Sequence, residues 1–411
     1  MTAKPAKAGI GFDDTKNSFE AGNHAAKKAL KNMGQKAGSL GIAFCTGKHD
    51  YQACFDGIRS AAGDIPIIGG PAIGVITNDY LGCEGYQTGV AVLPDDITFD
   101  IAAIGGLDRG ETQTGHRLGS QLSKKRNPEE KQILLFYDSI KSPPPAPVLN
   151  VSSYLIEEFE HGLGNNPPPL AGAGLIGSFT FEKGKLFCGT SVGDQYAVAT
   201  LLSGDFSAYT TIMHGCKPIS GYHTITRIEG PVVYEIDGKP ALDVIDNLLG
   251  TQDWQKRLPL LIVTMGVNHG DKYGPYNENN YVNRLIVGIK PEKKAIVLFE
   301  ADFNNGTEFQ FMRRNSELMH ESAKQRSEKA LEYIQKNELD PFFALYIDCA
   351  GRTAVYSGSE TEEASIVQKI IGQTIPLLGF YSGVEIAPFL GKSRGLDWTG
   401  VLLILSRKKD S

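Results

Sequence analysis

Apolar and polar positions alternate along this chain in a pattern that occurs three times. Apolar runs at Leu40–Cys45, Ile133–Tyr137 and Phe342–Cys349 have the length and composition of buried strands. Each leads through a helical stretch to a Pro-x-x-Gly word: Pro66-Ile67-Ile68-Gly69, Pro169-Leu170-Ala171-Gly172 and Pro376-Leu377-Leu378-Gly379. A glycine-rich turn and a further buried strand follow, at Thr88–Leu93, Tyr196–Leu202 and Thr399–Leu405. Proline is tolerated where a strand opens, and glycine permits backbone angles or close approaches that a side chain forbids. Three ordered β-α-β-β units, each with a hairpin after its Pro-x-x-Gly, imply internal duplication. They predict an α/β fold of mixed sheets.

The remaining elements fit around these units. Ala21–Met33 has helical spacing closed by Gly34, and residues 1–17 before it read as a loose leader with a strand start at Ile10–Phe12. Helices are predicted over Asp50–Ala62, Gly110–Lys125, Val151–Glu160 and Asn315–Gln335, and a strand over Ile97–Ile104. Pro143-Pro144-Pro145-Ala146-Pro147 is a stiff extended loop after a strand end, either a rim to a ligand site or a spacer; its composition favours the spacer. From His214 the text changes to alternating strands. Asp237-Gly238 supplies a hairpin turn, and Pro240 opens a helix that runs to Leu249. Residues 250–257 read as a boundary, followed by strands Leu260–Met265, Arg284–Ile289 and Lys294–Phe299. Two domains are expected after a leader and first helix (1–37): one over 38–255 and one over 256–411.

Composition narrows the function classes. At 411 residues the chain exceeds a single core, and its net charge of −6 comes without a long basic run. A nucleic-acid surface is therefore not expected, and Ser123–Arg126 and Arg407–Lys409 read as solvated ends. No signal peptide or membrane-spanning stretch is apparent. The six cysteines are scattered without a Cys-x-x-Cys word, as in reduced cytoplasmic proteins.

Several words carry a resemblance. Gly215-Cys216-Lys217-Pro218-Ile219, the strand to Arg227, and Glu235-Ile236-Asp237-Gly238-Lys239-Pro240-Ala241 resemble the end of the FIST N-terminal domain. Tyr346–Arg352, then Leu378-Gly379-Phe380-Tyr381-Ser382 through Pro388, resemble the FIST C-terminal domain, with Arg284 where that domain has an arginine entering a strand. The resemblance implies a small-ligand sensory module of intracellular signal transduction, with amino acids as suggested ligands. Some members of the family are haem-binding nitric oxide sensors that act on histidine kinases. No stretch reads as a kinase, cyclase or F-box, so output is expected through a signalling partner in trans. The sequence departs from the family where Gly-x-Ser-Thr-x-Gly-Glu-Ile becomes Pro71-Ala72-Ile73-Gly74-Val75-Ile76, which replaces polar groups by apolar ones. The third unit keeps Ser382, Gly383 and Glu385.

These residues define the candidate chemistry. An amino acid needs a planar bidentate donor for its carboxylate, which Arg284 or Arg352 supplies, and an acceptor for its ammonium group, which Glu385 supplies. Tyr381, Ser382, Gly383 and Cys349 complete the expected site beside the third glycine turn. Two alternatives accompany this reading: Arg352 and Glu385 pair with each other as a structural bridge, or Cys349 is a nucleophile in an enzyme. A haem ligand would have to come from a histidine such as His214, His223 or His269. Asp271, Asn277, Glu278 and Asn279 lack calcium-loop spacing, and no P-loop or Gly-x-Ser-x-Gly word is present. No cofactor or metal is expected.

Overall fold

The structure is a computed structural model that describes residues 6–34, 38–145 and 147–409. Its first unit runs β1 (Gly9–Asp13), α1 (Ser18–Met33), β2 (Gly38–Thr46), α2 (Tyr51–Ala62), β3 (Ile67–Ala72), β4 (Gly74–Thr77), β5 (Leu81–Cys83) and β6 (Thr88–Pro94). The second repeats this order as β7 (Thr98–Gly105), α3 (Glu111–Ser123), β8 (Glu130–Asp138), the ribbon β9–β10 (Ile140–Ser142, Val148–Leu149), α4 (Ser152–Leu163), β11 (Leu170–Leu175), β12 (Leu186–Gly189), β13 (Val192–Gly193) and β14 (Tyr196–Ser203). The third opens with β15 (Ser207–Met213). It resumes after an inserted lobe with α6 (Ser316–Lys336), β25 (Leu339–Cys349), α7 (Ala354–Ser357), α8 (Ala364–Ile371), β26 (Leu377–Ser382), β27 (Val384–Phe389), β28 (Lys392–Leu396) and β29 (Gly400–Lys408).

The lobe holds β16 (Lys217–Pro218), β17 (His223–Glu229), β18 (Val232–Ile236), β19 (Lys239–Pro240), α5 (Ala241–Leu249), β20 (Val263–Asn268), β21 (Tyr281–Arg284), β22 (Ile286–Lys290), β23 (Ala295–Leu298) and β24 (Glu308–Arg313) in one nine-stranded sheet. It has its own core around Trp254, Phe309 and Phe311. Strands on both sides of residues 255/256 share this sheet: β18 pairs with β23, and β17 with β24.

The predicted α/β class, with mixed sheets and a repeated unit, is what forms. A hairpin does follow each Pro-x-x-Gly, but it packs on the neighbouring unit's sheet. The body's three six-stranded sheets run β1-β6-β2-β3-β12-β13, β28-β27-β11-β8-β14-β7 and β15-β29-β25-β26-β4-β5. Thus β4 of the first unit extends the third unit's sheet, β27 of the third extends the second, and β12 of the second extends the first. The exchange closes a ring around one shared core. At its centre Phe44 stacks on Phe380 at 3.7 Å, and Phe136 meets both edge-on, so each unit contributes one ring.

The glycine of each Pro-x-x-Gly has one steric reason. A Cβ at Gly69, Gly172 or Gly379 would fall 2.1, 1.9 or 2.8 Å from the carbonyl oxygen of Ala43, Leu135 or Tyr346 on the adjacent parallel strand. The close approach that the sequence predicts is made by a neighbouring strand, at matching positions in all three units.

Residues 9–13 form an edge strand on β6, at the strand start read from Ile10–Phe12, with residues 1–5 outside the described residues. Two expectations change. Arg407 is not a solvated end: it donates to Asp96 and to the Ala6 carbonyl, and lies over Phe342. Arg126 likewise grips Glu130 and the carbonyls of Asn165 and Asn166. A basic run says nothing about where its side chains find acceptors. Among the described residues no helix is long and apolar enough to cross a membrane.

Candidate functional site

The C-terminal ends of β8, β25 and β26 meet where the second unit, the third unit and the lobe come together, and there they border a cavity of about 770 Å³. Ligands of open α/β sheets sit at such strand ends, and the volume suits a small molecule. The floor is Ser139, Cys349, Ser382, Gly383 and Asp397. The lobe supplies an apolar wall with Leu261, Leu285, Val287, Val297 and Phe299, while Phe179 and Tyr356 stack at 4.5 Å beside it. Pro147, Val148 and Leu149 also line the cavity, so the proline-rich loop is a rim and not the spacer favoured by its composition. Ala146 lies outside the described residues.

Of the residues singled out from sequence, Cys349, Ser382 and Gly383 line the cavity together. Gly383 donates its N–H to the Gly174 carbonyl at 2.9 Å, so that group is engaged. What the residue supplies is room, because a Cβ there would sit 3.2 Å from Ser139 Oγ. Glu385 lies behind Ser382 and outside the lining. Its Oε1 accepts from the Ser382 hydroxyl at 2.8 Å, and its Oε2 from the Thr399 N–H at 3.2 Å. Burial pushes the Glu385 carboxyl well above the usual range.

Arg284, Arg352 and Tyr381 do not reach the cavity lining. Arg284 grips Asp302 bidentately at 2.7 and 2.6 Å and lies 3.5 Å from Asp397. Arg352 pairs with Asp348 at 3.1 Å and with Glu363, and donates to the carbonyls of Trp398 and His214. The alternative of an Arg352–Glu385 bridge is replaced by this cluster. Tyr381 points to the other face of β26 from Ser382, as successive strand residues must, and donates to Glu362 at 3.0 Å.

The Cys349 thiol is 7% exposed, and burial raises it well above its ordinary value. It stays protonated at neutral pH, and no histidine lines the cavity with it. His214 accepts from the Cys216 N–H at 2.9 Å and turns its other nitrogen to the Glu278 carbonyl. His223 pairs with Asp237 at 2.7 Å, and burial pushes His269 down to about 4. Among the described residues no group of three or more metal-binding side chains comes together.

Sequence reasoning passed over Asp397, Trp398 and Ser139. Asp397 accepts from the Leu285 N–H at 2.8 Å through Oδ2, and burial, against the pull of Arg284, lifts its carboxyl to about 7. Its Oδ1 and the Ser139 hydroxyl are buried without a hydrogen-bond partner. Ser139 stands one residue past the end of β8, as Ala350 does past the end of β25, and that place at a strand end was the available signal. Nothing in the local sequence marks Asp397. The lobe is held to this floor by Glu300, which accepts from the N–H and hydroxyl of both Ser152 and Ser153 at 2.6–3.3 Å. It thereby caps α4, whose own N-cap residue, Val151, has no side chain able to do so.

Comparison with known proteins agrees with this architecture. Residues 39–239 match the FIST N domain and residues 241–388 match the FIST C domain. The chain belongs to the FIST family, whose domains are small-ligand sensory domains of signal transduction. It is 22% identical over 390 residues to the uncharacterized protein MT0656 of Mycobacterium tuberculosis, covering 94% of this chain and 96% of that one. It is also 22% identical over 404 residues to the uncharacterized protein Mb0898c of Mycobacterium bovis, covering 94% and 95%. Among solved structures, a chorismatase aligns at 11% identity and TM-score 0.35 over 98% of this chain and 100% of its own. A cyanuric acid hydrolase from A. caulinodans aligns at 9% identity and TM-score 0.35, over 99% and 100%.

Proposed function

We propose that the chain senses a small molecule held in the cavity between the second unit, the third unit and the lobe, and passes occupancy to a signalling protein in trans. The observation that carries this reading is the pairing of an apolar cavity with buried polar atoms that have no hydrogen-bond partner: Ser139 Oγ, and Asp397 Oδ1, whose nearest cation is the Arg284 guanidinium at 3.5 Å. An unsatisfied buried polar atom costs about 1–3 kcal/mol, and a ligand that completes it recovers part of that. Recognition is favoured over catalysis, since the Cys349 thiol is held protonated and no histidine lines the cavity with it. The lobe forms one wall and the body the floor, so occupancy fixes one against the other. This gives a partner a surface that differs between empty and filled states.

The first unit offers no equivalent. Strand register places Val75 at the position of Glu385, and Ala72 at that of Ser382. A thermal-shift screen of small metabolites, run on the protein and on Val287→Trp, tests the assignment. Val287 lines the lobe wall, and tryptophan there takes up part of the cavity from the apolar side. Compounds that raise Tm in the parent are expected to have no effect on the variant. Equal shifts in both proteins would move the site elsewhere.

A further inference from the structure

We infer that the cavity takes a molecule with an apolar, ring-bearing body and a hydrogen-bond-donating head, an amine or hydroxyl, and that it discriminates against carboxylates. This deepens the reading above and rests on it. Among the described residues Asp397 is the one charged side chain in the lining, which contains no lysine, arginine or histidine. Its Oδ1, and Ser139 Oγ across the floor, are polar atoms within nearly inaccessible side chains, at 3% and 1% exposure. Asp397 can only accept from a ligand when ionised, and Ser139 can accept or donate. A ligand head that donates completes both; a carboxylate head meets a carboxylate.

Among the described residues no guanidinium group reaches the cavity lining. Arg284 is engaged by Asp302 and the Asn283 carbonyl and lies 3.5 Å from Asp397 Oδ1, and Arg394 leans on Asp302 at 3.7 Å. Arg352 lies within its own cluster of acids and carbonyls. Arg314 lies over the Trp398 ring at 4.0 Å and donates to the Gly351 carbonyl, outside the lining. The walls meanwhile suit a ring, and a cationic head near the aromatic faces of Phe179, Phe299 and Tyr356 is further favoured. An α-amino acid is therefore a poor fit: its ammonium group is matched and its carboxylate is not.

Four probes on one phenyl body separate the heads: phenethylamine, phenethyl alcohol, hydrocinnamate and phenylalanine, titrated by calorimetry at up to millimolar concentration. Phenethylamine and phenethyl alcohol are expected to bind, with hydrocinnamate and phenylalanine weaker by about tenfold or more. Asp397→Asn should erase the advantage of the amine over the alcohol. Should that variant fold poorly, Ser139→Ala provides the second arm, because the lost hydroxyl makes no hydrogen bond in the empty protein. It should leave Tm unchanged and weaken both donors about threefold or more. Hydrocinnamate or phenylalanine binding as tightly as phenethylamine, with binding lost in Val287→Trp, overturns the head-group assignment and leaves the cavity in place. Binding that survives Val287→Trp overturns the cavity itself. No binding by any of the four overturns the ligand class, and the metabolite screen then judges the cavity separately.

Discussion

Arg352 sits fully buried among two carboxylates and two carbonyls, and ties the end of β25 to α8 and to the turn before β29. Removing it strands Asp348 and Glu363 without a counter-charge, so Arg352→Ala should cost about 3–5 kcal/mol. Arg352→Lys should fall between, since an ammonium group keeps the charge but cannot reach all four partners. Urea unfolding midpoints check this; an Arg352→Ala protein of ordinary stability would mean the cluster is not what holds this corner. Glu385 behaves oppositely. Burial favours its neutral form, and glutamine keeps the shape and an accepting oxygen, so Glu385→Gln should change stability by less than about 1 kcal/mol. Glu385→Ala leaves the buried Thr399 N–H unpaired, while the Ser382 hydroxyl keeps the Asp348 carbonyl, and should cost about 1–3 kcal/mol. Cys349, Ser382 and Gly383, which line the cavity, were legible because they stand at the ends of repeated strands, and strand ends are readable from apolar runs. The arginines misled because residue type announces what a side chain can bind, while its partners, Asp302 and Glu363, are set by distant chain.

Strands and helices with a firm period were readable to within a few residues. Helix α1 is an instance, predicted at Ala21–Met33 and observed at Ser18–Met33, opened by Asn17 and closed by Gly34 at φ 73°. The lobe turn at Asp237-Gly238 also forms as predicted, with φ of 53° and 72°. What the pattern leaves open is which sheet a strand joins. The residues of β4, Gly-Val-Ile-Thr, are wholly buried, and such a run suits any apolar neighbour equally. Strands β15 and β24, with mixed polar and apolar faces and no flanking motif, went unread. The exchange explains the first unit's apolar substitutions. Val75 is buried in the shared core and pairs with Phe380 of β26, so its position is filled by packing. Val75→Glu should therefore destabilise the whole body by about 3 kcal/mol or more instead of building a second ligand site. Calorimetric Tm and ligand binding measured on the same sample separate these outcomes. A stable Val75→Glu protein that gained affinity would contradict the packing account.

The lobe meets the body at two acidic clasps. Glu300 caps α4 from one side; Glu278, between β20 and β21, accepts from the N–H groups of His214 and Gly215, from Ser322 and from Arg326 on the other. Burial pushes the Glu278 carboxyl up, but His214, Arg326 and the donated N–H pull harder and hold it at about 2, against 4.5 unfolded. A lowered folded pKa means stability that is present above the unfolded value and lost as pH falls through the folded one. The stability gap between the protein and Glu278→Gln should therefore be full above about pH 4.5 and close toward pH 2. A gap independent of pH over that range would show the clasp to be uncharged.

The lobe's place over the strand ends makes one measurement decisive for the site: amide hydrogen exchange with and without saturating phenethylamine. The predicted result is slowed exchange in the rim at 147–151, the lobe wall at 285–299 and the turn at 349–356, with the first unit's turn at 70–76 unchanged. Protection confined to 70–76, or spread over the body while the lobe wall stays as it was, would contradict a ligand held between lobe and body.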